Sequence, residues 1–246
     1  MNKGLQISLT LVITMLLSWA PLQAQEIRFA MEATYPPFEF TNDKNEVIGF
    51  DVDLAKALCS ELNKQCSFHI QPFDSLIASL KFRRFDAAIS GMDITADREK
   101  QVLFTEPYYQ NAAIVVAAKD RFTSMADLAK HKIGLQNGST HQRYIHDNYP
   151  KQKTSAYTSV QHAFIDLQNG RVDAVFGDTA VVEQWLTRSA NYEGVGEIIN
   201  DTQYFGRGYG IAVNLQNHAL RDELNQALTT IMANGTYQQI YQRWFQ

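Results

Sequence analysis

Two stretches of this chain repeat one pattern. Leu80-x-x-x-Arg84-Phe85-Asp86-Ala87-Ala88-Ile89 is echoed by Leu167-x-x-x-Arg171-Val172-Asp173-Ala174-Val175-Phe176. Each reads as a helix end, a turn and a buried strand. Each strand then runs into glycine and aspartate: Gly91 and Asp93 in the first, Gly177 and Asp178 in the second. Either part of the match is coincidence or the chain builds two similar α/β lobes. Open α/β sheets bind ligands beyond the carboxyl ends of their strands. Two such lobes face to face put Asp93 and Asp178 on opposite walls of one cleft.

The surrounding sequence alternates strand and helix, which predicts an α/β fold. Residues 27–31 alternate as a strand. Residues 34–38 form a loop, because Pro36 and Pro37 exclude a helix interior and a central strand. Residues 42–45 are a polar turn. Residues 53–62 place Leu54, Leu58 and Leu62 on one helical stripe, and 67–70 form a short strand. Asp74 caps a helix carrying Leu76, Ile77 and Leu80. Residues 85–89 and 112–118 are buried strands. In the second half, 124–128 open a short helix and 132–135 form a strand. Gly138 turns the chain into a helix near His141, and further helices cover 161–168 and 180–186. Gly206-Arg207-Gly208-Tyr209-Gly210 is a flexible return between lobes or a plain loop. A strand at 211–213 follows, then a closing helix that buries Leu220, Leu224, Leu228 and Ile231. The 246 residues suffice for one large domain or for two lobes of roughly 100 residues each.

The N-terminus reads as a secretory signal peptide. Lys3 is the positive segment, residues 5–19 are nearly all apolar, and Pro21 and Ala24 follow. The alternative is a membrane anchor, but the run is shorter than the roughly 20 residues that span a bilayer. Cleavage is expected after Ala24. Export changes how Cys59 and Cys66 read. In an oxidising compartment a disulfide is the default, worth about 2.5 kcal/mol by chain-entropy arithmetic for so short a loop. Two free buried thiols are the alternative.

Several chemistries are missing. The net charge is −4, with no Lys/Arg-rich run, so nucleic acid is not an expected partner. There is no nucleophile elbow, phosphate loop or dinucleotide fingerprint, hence no expected cofactor. The six histidines are scattered, and His141 and His146 miss the helical register of a metal pair, so no metal is expected. What remains suits a small zwitterion. Arg98 follows the N-cap candidate Thr95 and can clasp a carboxylate with two hydrogen bonds; otherwise it is a surface arginine. Ser139 and Thr140 stand at a helix N-terminus, which favours an anion or is simply capped. Asp178, at a strand end, can hold a cation or cap the next helix.

Gly49-Phe50-Asp51-Val52-Asp53-Leu54-Ala55-Lys56-Ala57-Leu58-Cys59 resembles the signature of the polar amino-acid family of periplasmic solute-binding proteins, the receptors of ABC importers. The resemblance continues through Thr34-Tyr35-Pro36-Pro37-Phe38, Phe73-Asp74-Ser75-Leu76, Ile94-Thr95 to Arg98, Phe104-Thr105-Glu106-Pro107-Tyr108, Gly138-Ser139-Thr140, Gly170-Arg171-Val172-Asp173-Ala174 and Gly235-Thr236-Tyr237. Ser90-Gly91-Met92-Asp93-Ile94-Thr95 and Phe176-Gly177-Asp178-Thr179-Ala180-Val181-Val182 look most like the arginine-binding branch.

The resemblance implies a type II periplasmic binding protein fold: two α/β lobes joined by two crossover strands, with the ligand in the cleft. Lobe 1 is then residues 25–110 with 208–246, lobe 2 is 114–204, and the hinge is 110–113 and 205–208. It implies a monomer that binds L-arginine, or another basic amino acid, in the periplasm and delivers it to an inner-membrane permease by closing. Arg98 with Thr140, beside Ser139, holds the α-carboxylate; Ser90 and Gly91 line the site, Gly91 through its backbone; Asp178 holds the α-ammonium. Tyr35 and Phe73 sandwich the aliphatic stem or the guanidinium. Glu32 faces its far end, with help from Glu39 or Asp93. Relatives often carry Ser or Thr in place of Asp93, so Asp93 turns toward the cation, pairs with Arg98, or caps its helix. His141 replaces a common Gln, and His131 a common Gly. The competing readings are a broad lysine/arginine/ornithine/histidine receptor, a cyclic-acid dehydratase on the same fold, and a sensory domain.

Overall fold

Two five-stranded sheets organise the computed structural model, which describes residues 25–205 and 207–246. The expected signal peptide and Gly206 of the expected hinge lie outside those residues. From the N-terminus the chain runs through β1 (Glu26–Met31), β2 (Thr34–Tyr35), β3 (Glu39–Thr41), β4 (Val47–Ile48), α1 (Phe50–Glu61), β5 (Gln65–Ile70), α2 (Leu76–Lys81), β6 (Ala87–Ala88), α3 (Ala96–Glu99) and β7 (Val102–Phe104). It then builds β8 (Ala113–Ala118), β9 (Lys132–Gln136), α4 (Thr140–Asn148), β10 (Lys153–Tyr157), α5 (Val160–Gln168), β11 (Ala174–Asp178), α6 (Thr179–Leu186) and β12 (Tyr192–Ile199). It returns for β13 (Ala212–Asn214), α7 (His218–Ala233) and α8 (Thr236–Phe245).

The first sheet has the order β5-β1-β6-β13-β7 and the second β10-β9-β11-β8-β12. In each, the first three strands are parallel and the fourth runs antiparallel to the third. The echoed strands β6 and β11 hold the same third place. The repeated aspartate has one job in both lobes. Asp86 accepts a hydrogen bond from the Arg28 amide at 2.9 Å, and Asp173 accepts one from the Lys132 amide at 2.9 Å. Each pins the start of the central parallel strand beside it. The echo is therefore a shared fold, not coincidence.

Strand alternation divides the first core. Phe29 and Met31 face a cluster with Leu54, Leu58, Leu224 and Leu228, while Ala30 and Ala88 face Leu76, Leu80 and Val102 on the other side. This is the period-2 geometry of a sheet buried on both faces. The second sheet likewise packs Val175 toward α5 and α6, and Ala174 and Phe176 toward Ile133, Leu135 and Ile145.

The chain crosses between sheets twice, after Phe104 and after Ile199. The crossings run side by side, with Tyr209 donating to the Tyr109 carbonyl and Tyr108 donating to the Tyr209 carbonyl, each at 2.8 Å. Gly208 has φ +82°, and a Cβ there would lie 2.2 Å from the Tyr109 carbonyl oxygen, so this pairing admits only glycine.

Two expectations from the sequence are corrected. Residues 34–38 are not wholly loop: Thr34 and Tyr35 pair with Phe40 and Glu39 in a small sheet, because the strand ends before the prolines remove its donors. Asp74 does not cap the following helix. It lies within a single 3-10 turn, Phe73–Ser75, and its carboxylate accepts from the Asn137 amide of the other lobe at 2.5 Å. Cys59 and Cys66 are disulfide-bonded, tying the end of α1 to β5.

Candidate functional site

Nine of the ten expected ligand residues line one narrow cavity between the sheets: Glu32, Tyr35, Phe73, Ser90, Gly91, Asp93, Ser139, Thr140 and Asp178. Gln136 and His141 complete it. Its volume is about 10 Å³, near the least that holds one water. Arg98 stands beside it, in the wall of a wider groove of about 670 Å³ shared with Ser139 and Thr140.

Local sequence explains the placement. Asp178 ends β11 and is the N-cap of α6, but its side chain makes no capping bond and is left for the cleft. Ser139 is the N-cap of α4, its hydroxyl accepting from the Gln142 amide at 3.1 Å, so Thr140 opens the first turn. Thr95 caps α3 in the same way and sets Arg98 in the first turn. Arg98 donates to the Asp93 carbonyl at 2.8 Å and to the Gly138 carbonyl at 3.2 Å, and its guanidinium lies 5.4 Å from the Phe73 ring centre. It therefore holds a loop from each lobe.

The lobes meet through polar pairs. Tyr35 donates to Asp178, and Gln136 donates to Glu32. Thr140 donates to Asp93 at 2.6 Å. Asn111, in the first crossing, donates to Asp93 at 2.8 Å and to Asp178 at 2.5 Å. His141 Nε2 lies 3.1 Å from Asp178. The Asp93 carboxylate thus neither pairs with Arg98 nor caps a helix; it faces Asp178 across Asn111.

Burial shapes the charges. It pushes the Asp93 carboxyl up to about 7, aided by the charge of Asp178 and opposed by Arg98. Burial also raises Glu32, against the Thr34 and Gln136 hydrogen bonds. At Asp178 burial acts the same way, but the neighbouring His141 and the Tyr35 hydroxyl hold the carboxyl below its usual range. Burial pulls the Arg98 guanidinium down.

A second buried acid pair supports the site from behind. Ser90 donates to Glu39 at 2.7 Å, and the Gly91 amide donates to Asp51 at 2.9 Å. The Gly91 N–H is thus spent inside the lobe. Glu39 sits behind Ser90 and does not reach the cavity wall. Burial and the neighbouring Asp51 push Glu39 well up, and burial raises Asp51 to about 6.

Gln136, His141 and Asn111 carry no signal as site residues in the sequence, apart from the unusual histidine. Their role comes from the approach of the lobes. Among the described residues, no group of three or more His, Cys, Asp or Glu is placed to hold a metal ion.

Residues 27–246 match the family described as bacterial extracellular solute-binding proteins, family 3. Over 222 residues the chain is 55% identical to ABC transporter arginine-binding protein 1 of Escherichia coli K12, spanning 90% of this chain and 91% of that protein. It is 52% identical over 223 residues to the arginine-binding periplasmic protein of Mannheimia haemolytica, spanning 90% and 92%. A solved periplasmic binding protein of Salmonella typhimurium, described for its high arginine specificity, superposes with a TM-score of 0.88. It is 45% identical and covers 91% of this chain and 100% of that one.

Proposed function

The chain belongs to the bacterial extracellular solute-binding proteins of family 3 and has their two-lobed type II periplasmic binding protein fold, and from that premise we propose that it is a monomeric periplasmic receptor for L-arginine. It closes on the amino acid and presents it to an inner-membrane ABC permease. The observation that carries this reading is the charge inventory of the cleft. Glu32, Asp93 and Asp178 are buried around one cavity, with Arg98 the buried guanidinium beside them. A ligand with one carboxylate and two cationic ends complements that set.

Arg98, Thr140 and the N-terminus of α4 take the α-carboxylate, where charge-assisted hydrogen bonds and the helix dipole act together. Asp178 takes the α-ammonium. Tyr35 and Phe73 flank the stem and the guanidinium, and Glu32 with Gln136 meets the guanidinium's donors. Each ligand group replaces a partner that the cleft supplies to itself: Asn111 and Tyr35 on Asp178, Thr34 and Gln136 on Glu32. The 10 Å³ cavity admits an amino acid only when the lobes part, so binding and closure are one equilibrium. Because the relatives it resembles are binding proteins, the reading is of a receptor and not an enzyme.

A thermal-shift screen of amino acids on protein unfolded and refolded to strip carried-over ligand tests the proposal. Ligand at a thousandfold over Kd stabilises by about 4 kcal/mol, so arginine is expected to give the largest rise in Tm. A screen in which no basic amino acid raises the Tm contradicts it.

A further inference from the structure

Resting on the reading that the cleft takes arginine, we propose that Glu39 and Asp51 share one proton in a carboxylic acid–carboxylate hydrogen bond, and that this bond positions Glu32 and Gly91 for the ligand. Neither Glu39 nor Asp51 touches the ligand itself.

The backbone brings the two acids together. Asp51 stands in the first turn of α1, and its N–H donates to the carbonyl of Phe38, the residue before Glu39, at 2.9 Å. Both side chains are fully buried, at 0% exposure, and their carboxyl groups lie within hydrogen-bonding reach of each other. Each acid has one oxygen already in use. Glu39 Oε1 accepts from the Ser90 hydroxyl at 2.7 Å, and Asp51 Oδ2 accepts from the Gly91 N–H and the Tyr108 hydroxyl, both at 2.9 Å. The other two oxygens, Glu39 Oε2 and Asp51 Oδ1, are buried with no donor. One proton between the acids gives both a partner. Without it two buried negative charges meet, and in such a site one carboxyl stays protonated. Burial acts in the same direction on both, raising Asp51 to about 6 and, with the charge of Asp51, Glu39 well above its usual range.

The titratable groups that face the pair supply no counter-charge. They are Glu32 just after β1, Tyr35 of β2, Tyr108 of the first crossing and Tyr237 of α8, an acid and three phenols. The bond reaches the ligand site through two neighbours in the chain. Ser90, whose hydroxyl donates to Glu39, accepts from the Glu32 N–H at 3.0 Å. Gly91, whose N–H is held by Asp51, lines the cavity with Glu32. Glu32, Glu39, Asp51, Ser90 and Gly91 all precede the first crossing, so the bond lies within one lobe and opening of the cleft leaves it intact.

Amides separate the bond from its proton. Glu39→Gln keeps an acceptor for Ser90 and gives Asp51 a donor that does not titrate; Asp51→Asn does the reverse. The double amide either sets two N–H2 groups against each other or turns one away from Ser90 or Gly91. Chemical denaturation of the ligand-free protein reads the proton. The folded state holds it and the unfolded acids do not, so stability falls as pH rises until the folded pair ionises. Between about pH 6 and about pH 7 the wild type's folding equilibrium constant is expected to fall about tenfold relative to that of Glu39→Gln. Calorimetric titration with arginine at about pH 7 reads the positioning: each single amide should bind within about threefold of wild type, and Glu39→Ala and the double amide about tenfold or more weaker. If Glu39→Ala does not fold, the double amide decides. Parallel pH dependence in wild type and Glu39→Gln overturns the shared proton. Single amides that lose arginine, or a double amide that binds as well as they do, overturn the positioning role. No arginine binding by the wild type overturns the receptor reading, while the denaturation comparison, made without ligand, still decides the proton.

Discussion

Arg98 does two things with one side chain. Its guanidinium bonds to carbonyls of the Asp93 and Gly138 loops, one from each lobe, and stacks on Phe73. Replacing it by alanine removes the charge proposed to face the ligand carboxylate, and of the hydrophobic core it uncovers only the Phe73 ring. The expected loss for an unpaired buried charge is about 3–5 kcal/mol of binding, so Arg98→Ala should show no measurable arginine binding by calorimetry and an unchanged circular dichroism spectrum. Near wild-type affinity would contradict the assignment. Arg98, Ser139, Thr140 and Asp178 are legible in the sequence because each stands at a helix start or strand end, where the backbone fixes what the side chain can face. Asp93 is visible there only as an anomaly. Asn111, Gln136 and the contact of His141 are not legible, since their meaning arises where residues far apart in sequence meet across the cleft. Asp74 shows the same limit: it has the residue type and spacing of a cap, but Asn137 of the opposite lobe takes its carboxylate.

Elements with a strong period are readable, and those with a weak one are not. The leucine stripe of α1 and the buried runs of β8 and β11 carry their own signal. Lys153–Tyr157 is a polar edge strand, and Tyr192–Ile199 holds two glycines and a single buried residue, so neither announces itself. The last helix, α8, is better understood from its partners. It places Tyr241 and Phe245 against Tyr109 of the first crossing, at ring distances of 6.4 and 5.2 Å. It backs the first crossing between the sheets. The bond from Cys59 to Cys66 joins α1 to β5 at the far side of the first sheet from β7. Thiol labelling of periplasmic protein under denaturing, non-reducing conditions should find no free cysteine. Reduction should cost about 2–4 kcal/mol of stability and leave arginine binding in place. Two labelled cysteines in unreduced material would contradict the pairing.

At the scale of the molecule, two sheets of matching order are joined by paired crossings whose contact at Tyr109 and Tyr209 leaves rotation as the simplest relative motion. The lobes close on polar pairs such as Thr140 with Asp93, which a ligand can replace with its own groups. Small-angle scattering should therefore show a smaller radius of gyration with saturating arginine than without it, as expected when a ligand favours the closed state by differential affinity. An unchanged radius at saturation would count against a hinge. Above all, the proposed reading makes the cleft a site for a cation with a forked, planar end. On that reading a guanidinium stacks between aromatic faces for about 0.5–2 kcal/mol and meets Glu32 with paired donors that an ammonium lacks. A neutral side chain leaves Glu32 buried without a counter-charge. Calorimetric titration of ligand-free protein with arginine, lysine, ornithine, histidine, citrulline and glutamine measures this directly. The predicted result is arginine tightest, the other cations weaker and the neutral amino acids weakest; lysine or histidine within about threefold of arginine, a gap of under about 1 kcal/mol, would contradict arginine selectivity, and glutamine binding tightest would contradict the cationic site itself.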